Sequence, residues 1–316
     1  MAMTKRIIHR EKYNAVLGAD LHLREDVPVC RTDDYLAAQF KKMSFVKDLC
    51  EENDCPFLVA GDVFDHWKPS PYLLSRAIEL LPHAVVVAGQ HDLPQHSFLE
   101  LSKTGLNTLV QARTLDLALP EFQRTIGAFL RVYGTSYGQE PLRKTEKDPS
   151  GYRNVLLWHR LVTSGGDQPW PGAGADDARK ILKSLPEYDL IVTGDNHQQF
   201  TVELDGRVLV NPGSTMRMTA DQADFEPAVF GWKSSDNSVT RIPLPIQKGV
   251  VSREHLKREK KEDRDLRMEV YIQRAKRTFE HRLSFEKNLE EHFRKNDEDE
   301  DVKRLVWEAV EKEDAS

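Results

Sequence analysis

Little in this chain of 316 residues could support a disulfide framework. It has only three cysteines, Cys30, Cys50 and Cys55, an odd number with no CxxC pair. That usage fits a reducing compartment, so a cytoplasmic protein is expected. Long apolar runs are missing as well. The longest, such as residues 84–88, fall far short of the roughly 20 residues that span a bilayer. The basic N-terminal residues precede no apolar signal core, so no membrane partner is expected. An excess of positive charge is also lacking. With 51 acidic and 45 basic residues the net charge is −6, so bulk charge does not announce a nucleic-acid protein. A bound cation could still make one site locally positive. No G-x-x-x-x-G-K-[ST] segment occurs, which argues against an intrinsic NTPase, and no internal repeat is visible.

What is present is an alternation. Short β-branched runs at Tyr13–Ala19, Phe57–Ala60, Ala84–Ala88, Asn154–His159 and Asp189–Thr193 read as strands. Between them, Asp34–Asn53, Tyr72–Leu81 and Asp176–Leu185 carry apolar residues at helical spacing. After Asp195 the texture changes to strands at Gln198–Leu204, Arg207–Asn211, Ala228–Trp232 and Ser238–Leu244. The pair Asp205-Gly206, between two alternating runs, is a hairpin signal. Mixed strands followed by hairpins predict an α/β fold of two packed mixed β-sheets flanked by helices. Residues 1–248 are assigned to this domain.

Residues 249–316 read differently. They are charged, nearly balanced in sign and helical in pattern, with a second apolar stripe at Val302, Leu305, Val306, Ala309 and Val310. This segment is read as a helical appendage. It is expected either to bind a partner or to self-associate as a homodimer.

Chemistry-bearing residues collect at the predicted strand ends. They are Asp20-Leu21-His22, Gly61-Asp62-Val63-Phe64-Asp65, Gly89-Gln90-His91-Asp92, His159, and Gly194-Asp195-Asn196-His197. In open α/β sheets, sites form beyond the carboxyl ends of the strands, so these five ends converge on one crevice. Each member alone is weak: GDxxD is also a turn with a helix cap, and a lone strand-end histidine is more often a satisfied core residue. Together and in this order they point to a metal site.

The set DxH, GDxxD, GNH[DE], lone His and GHxH is the signature of calcineurin-like metallophosphoesterases, and this sequence resembles that family from Tyr13 to Leu244. The runs Ala60–Asp65 and Val85–Asp92 look most like SbcD-type nuclease subunits of DNA repair, and Asn211-Pro212-Gly213-Ser214 is similar to a motif of several branches. The resemblance implies a four-layer sandwich and two divalent ions. Asp20, His22 and His197 would hold the first ion, Asp62 would bridge, and Gln90, His159 and Asp195 would hold the second. His91 would face the phosphate as catalytic residue, and Asp92 would orient that imidazole. Asp65 is read as structural, a cap for the segment that follows. Two positions depart from the pattern: Gln90 stands for the usual Asn, and Asp195 for the first His of GHxH. Gln keeps the amide oxygen on a longer stem, and Asp adds a carboxylate where a neutral nitrogen is usual, so the second site becomes harder and more anionic, favouring manganese, or magnesium, over zinc.

The expected activity is two-metal hydrolysis of a phosphodiester, most of all as an SbcD-like DNA exo- or endonuclease. The ligand set leaves two alternatives open. One is a small-substrate phosphodiesterase or phosphatase, the other a non-catalytic DNA-binding or scaffold protein with an impaired second site. The resemblance also implies a coiled-coil ATPase subunit as partner for the C-terminal helices. Trp67, Lys68, Arg143, Lys144, Lys147 and Trp170 are candidate strand contacts, read more readily as a solvated face. His96 is read as a surface residue.

Overall fold

The computed structural model describes residues 12–121, 124–127, 130–143, 151–165, 168, 172–254, 287–296 and 299–314. The chain divides into two compact units, Met1–Ser252 and Arg253–Ser316. In the first, strands β1 (Ala15–Gly18), β2 (Phe57–Val59), β3 (Ala84–Val86) and β4 (Leu115–Leu117) run parallel. The antiparallel hairpin β13 (Ala228–Lys233) and β14 (Ser238–Pro243) completes this sheet against β1, in the order β14-β13-β1-β2-β3-β4. A second six-stranded sheet has the order β11-β12-β10-β7-β6-β5. It joins β5 (Arg124–Ile126), β6 (Leu130–Thr135), β7 (Arg153–His159), β10 (Leu190–Gly194), β11 (Phe200–Leu204) and β12 (Arg207–Asn211). A two-stranded ribbon, β8 (Val162–Thr163) with β9 (Asp176–Asp177), leads into the second sheet's helix.

Alternation along the strands builds the layers. Leu17, Leu58 and Val85 of the first sheet meet Val132, Val155, Leu157, Leu190 and Val210 of the second in one core between the sheets. Their strand neighbours turn outward. Val16, Phe57, Val59 and Val86 pack with helix α1 (Tyr35–Asn53), α2 (Pro71–Leu80) and α3 (Gly105–Gln111). Leu156, Trp158, Ile191 and Leu209 pack with α4 (Ala178–Ser184). A period of two thus sends each strand's side chains alternately to a sheet and to a helical layer, which gives the four layers expected.

The helices start where short polar side chains can accept from the first turn. Asp34 accepts from the Ala37 N–H, Ser70 from Leu73, Thr104 from Asn107, and Asp177 from Lys180. Asp176 and Asp177, expected inside a helix, form β9, and the helix begins at Ala178. The sequence pattern also passed over α3 and strands β4, β5 and β6. β4 and β5 carry polar, partly exposed residues and so lack the continuous apolar run that marks β2 and β3.

The second unit contains helical residues 287–295 and the helix Glu300–Asp314. Of the predicted apolar stripe, Val302 and Leu305 are 45% and 61% exposed. An earlier set of apolar residues at helical spacing, Ile272, Ala275, Phe279, Leu283 and Phe285, lies outside the described residues, as do Lys144, Lys147 and Trp170, while its last members, Leu289 and Phe293, fall in helical residues 287–295. No helix among the described residues is long and apolar enough to cross a membrane.

Leu157 lies fully buried between the two sheets. Leu157→Ala is expected to lower the unfolding free energy by about 2–5 kcal/mol in urea titrations. Val29→Ala, at an exposed position, should shift it by no more than about 0.5 kcal/mol.

Candidate metal centre

The acidic and imidazole residues follow the carboxyl ends of β1, β2, β3, β7 and β10, and the backbone there is shaped to bring them together. Asp20, His22, Asp62 and Asp195 all have left-handed φ angles of 50°, 43°, 51° and 78°. Such conformations cost non-glycine residues about 1–3 kcal/mol each and persist where the surrounding structure enforces them. Here the enforcement is a lacing of two strand ends. The N–H groups of Asp20, His22 and Leu23 donate to the carbonyls of Gly61, Asp62 and Val63 at 3.1, 3.0 and 2.9 Å. Two glycines make the approach possible. A Cβ on Gly89 would lie 2.0 Å from Asp62 Oδ1, and one on Gly61 (φ 91°) would lie 2.3 Å from His159 Nδ1.

Three groups of ligand atoms result: Asp20, His22 and His197; Asp20, Asp62 and His159; and His22, Asp65 and His91. Asp20 and Asp62 are each completely buried. Asp20 Oδ1 accepts the Asp195 N–H at 3.0 Å, and Asp62 Oδ1 accepts the His91 N–H at 2.9 Å. The second oxygen of each, Oδ2, is buried with no hydrogen-bond partner. Asp62 Oδ2 stands 3.7 Å from His22 Nε2 and 3.5 Å from His159 Nε2.

The imidazoles show the same pattern. His159 Nδ1 can only donate to the Ala60 carbonyl, 2.6 Å away, which leaves a lone pair on Nε2. That lone pair faces Gln90 Oε1 at 2.5 Å. The Gln90 orientation is fixed by its amide N–H, which donates to Asp195 Oδ1 at 2.6 Å. His22 Nδ1 lies 3.1 Å from Asp65 Oδ1, and its Nε2 is 3.2 Å from His197 Nε2. Buried oxygens without partners and opposed lone pairs are a cage that lacks only positive charge. A divalent cation satisfies all of them at once.

The proton affinities agree. Burial first of all pushes the Asp20 and Asp62 carboxyls up to about 7. Burial opposes a charged His22, but the Asp65 hydrogen bond and the Asp62 and Asp20 charges outweigh it and raise that imidazole to about 9. Burial, and then the neighbouring His22, hold His197 down to about 4. Without a cation, protons are retained by the carboxyls and His22. A cation would displace them, as metal binding does to its ligands generally.

Each predicted site residue therefore has a definite place. Asp20, His22, Asp62, His159 and His197 converge, with Gln90 against His159. Asp195 lies outside the three groups and holds the Gln90 amide instead. The expectation that Asp92 orients His91 is corrected. Asp92 is fully buried and accepts the N–H groups of Val63, Phe64 and Gly89 at 3.2, 3.0 and 3.0 Å. Three backbone donors anchor the Asp92 carboxylate in the interior, and the His91 ring finds its partner elsewhere. His91, exposed, is held by its Nδ1 against the Asp65 carbonyl at 2.9 Å. Its ring crosses His22 edge-on at 4.9 Å between centroids.

Asp65 itself is more than a cap. Besides His22 it meets Arg24 at 2.9 Å, so it positions one ligand and one ligand neighbour. Its place in GDxxD was the signal. Asn211 was also undervalued. Its amide donates to the carbonyls of Asn196 and Gln198, both at 2.6 Å, and so holds the loop carrying Asp195 and His197. Ser214 behaves as the turn residue expected, donating to the Met216 carbonyl at 2.9 Å. His96 is exposed, with Nδ1 3.1 Å from the Gln90 carbonyl. Trp67 is half-buried, while Lys68 and Arg143 are exposed.

A family model described as calcineurin-like phosphoesterase matches residues 16–199, more than half of the chain. The DNA double-strand break repair protein Mre11 of Haloferax volcanii is 30% identical over 96 residues, covering 28% of this chain. The chain spans about a fifth of that relative's length, at 21%. Solved structures with a similar outline include a novel archaeal phosphodiesterase, at 11% identity and TM-score 0.40, covering 73% of this chain and 99% of that one. Another is the phosphopantetheinyl hydrolase of Mycobacterium tuberculosis, at 12% identity and TM-score 0.41, covering 73% and 96%.

Two substitutions separate the roles. Asp65→Ala should weaken divalent-metal binding roughly 10–100-fold by calorimetry while the chain stays folded. Asp92→Ala, by stranding buried N–H groups, should instead cost about 2–4 kcal/mol of stability, which His91→Ala should not.

Proposed function

The chain belongs to the calcineurin-like phosphoesterase family, and from that premise we propose that it is a two-metal-dependent phosphodiester hydrolase acting on DNA, an SbcD-like exo- or endonuclease. The observation that carries the hydrolytic part is the pair of buried, unpartnered oxygens on Asp20 and Asp62, opposed by the imidazole lone pairs. Two divalent cations held there would supply a hydroxide nucleophile and offset the negative charge of the phosphate.

The remaining work belongs to the chain. Asp20, His22 and His197 would hold one ion, Asp62 would bridge, and His159 with Gln90 would hold the other, with Asp195 keeping the amide oxygen aimed inward. The second set is rich in oxygen, which supports manganese, or magnesium, as the working ion. Asp65 holds His22 through Nδ1, so that Nε2 is the coordinating nitrogen. It holds His91 through its carbonyl, again at Nδ1. The exposed His91 therefore presents Nε2 to substrate, where it can hydrogen-bond the phosphate and serve the leaving oxygen. No side-chain nucleophile is required, and Ser214, buried and bonded to Met216, is in no position to be one.

DNA as substrate rests on the motif runs Ala60–Asp65 and Val85–Asp92 and on the similarity to the Mre11 repair protein. Residues 249–316 are proposed as the arm for a second copy or a coiled-coil partner, an idea supported by the exposure of Val302 and Leu305.

Purified protein with manganese should degrade DNA and hydrolyse bis-p-nitrophenyl phosphate. His91→Ala should lower turnover by about 10²–10⁴-fold with metal binding retained. Turnover confined to small esters would overturn the nuclease assignment in favour of a small-substrate phosphodiesterase. DNA binding without turnover under any metal would overturn catalysis altogether. Chelation should lower the melting temperature, because the cation binds the folded state alone.

A further inference from the structure

Cys50 and Cys55 play no part in the metal centre, yet the chain brings them together by a specific device. Helix α1 ends with Asp54 in the left-handed conformation (φ 52°, ψ 50°). The Cys55 N–H returns to the Cys50 carbonyl at 3.1 Å, and the Asp54 N–H to the Glu51 carbonyl at 3.2 Å. These two bonds define a Schellman turn, in which the side chains at Cys50 and Cys55 fall into contact. That contact is usually made by two apolar residues. Here the two positions are both cysteines, free thiols that line the same cavity. The turn brings the residues beside one another, as a disulfide's Cα separation of about 4.4–6.8 Å requires.

The pair is reachable. Both cysteines line an open cavity of about 510 Å³ whose rim includes Lys47 and His83. Cys55 is half-buried, whereas Cys50 and Cys30 are buried. Cys30 is elsewhere, its thiol donating to the Met218 carbonyl at 3.2 Å. We propose that Cys50 and Cys55 are a peroxide-responsive thiol pair that closes into a disulfide across the C-terminal turn of α1.

The division of labour follows from the environments. Cys55 is half-buried whereas Cys50 is buried, so Cys55 is the sulfur a hydroperoxide in the cavity reaches first and the one that attacks. The Cys55 thiolate attacks the terminal oxygen of a hydroperoxide, the O–O bond breaks, and an alkoxide or hydroxide leaves. Cys55 is then a sulfenic acid. The Cys50 sulfur attacks it, giving up its proton, and the oxygen departs as water. Two thiols lose two electrons and two protons, and the hydroperoxide is reduced to an alcohol (or water) and water. Because Cys55 precedes β2 and Asp62 follows it, this corner and the metal centre lie at opposite ends of that strand.

The experiment is limiting hydrogen peroxide on the full chain, with alkylation and peptide mapping by mass spectrometry. The expected result is a Cys50–Cys55 cross-linked peptide, reversed by dithiothreitol, with Cys55 reacting on the order of ten times faster than Cys30. Manganese binding by calorimetry should be unchanged by the oxidation. In Cys50→Ser, Cys55 should instead be trapped as sulfenic acid by dimedone. Oxidation of wild-type Cys55 to the sulfinic acid with Cys50 still alkylatable would overturn the proposal. So would a cross-link that uses Cys30. The wild-type peptide map decides the matter even if the serine variant fails to fold.

Discussion

Two carboxylates, Asp20 and Asp62, are fully buried at the carboxyl edge of the sheets, and each keeps one oxygen with no partner. Burying acidic groups whose oxygens lack hydrogen bonds is costly, and it lasts only where something else needs it. The local backbone is organised around it. Four left-handed residues, the lacing of 20–23 onto 61–63, and glycines with no room for a Cβ all hold these oxygens together against their mutual repulsion. The stability that supports this strain comes from the three apolar layers beneath, most of all the core between the two sheets.

Around that centre lies a shell of residues that act by holding others. Asp65 grips His22 with its side chain and His91 with its carbonyl. Asp195 steadies Gln90, Ala60 fixes the tautomer of His159, and Asn211 ties down the loop of His197. Asp92 keeps the turns after β2 and β3 in register by accepting three backbone N–H groups. The family's two departures, Gln90 and Asp195, are in contact with each other. The longer amide is met by a carboxylate that fixes it, so the two changes read as one adjustment.

Much of this was legible from residue order. The parallel strands β1, β2, β3, β7 and β10 announced themselves as short β-branched runs, and α1, α2 and α4 as apolar residues at helical spacing. The ligand-bearing residues stood out because Asp, His and Gln recur just after those runs. Strands β4 and β5 did not, because Leu115-Asp116-Leu117 and Arg124-Thr125-Ile126 include polar, partly exposed residues and form no continuous apolar run like those of β2 and β3. Adjacency in sequence suggested that Asp92 meets His91, but both lie in the turn after β3, and there the Asp92 carboxylate accepts three backbone N–H groups.

Residue order thus determined which groups meet, since the strand-end rule depends only on alternation and burial. It determined the α/β layering, the convergence of Asp20, His22, Asp62, His159 and His197, and the family. The tertiary structure alone decided the hydrogen-bond partners of each ligand. It placed Asp195 behind Gln90, turned Asp92 inward to the backbone, and made Asp65 the support of two imidazoles. These outcomes depend on where donors and acceptors lie within about 3 Å of each other. That distance is set by how two sheets pack, and no local pattern encodes it.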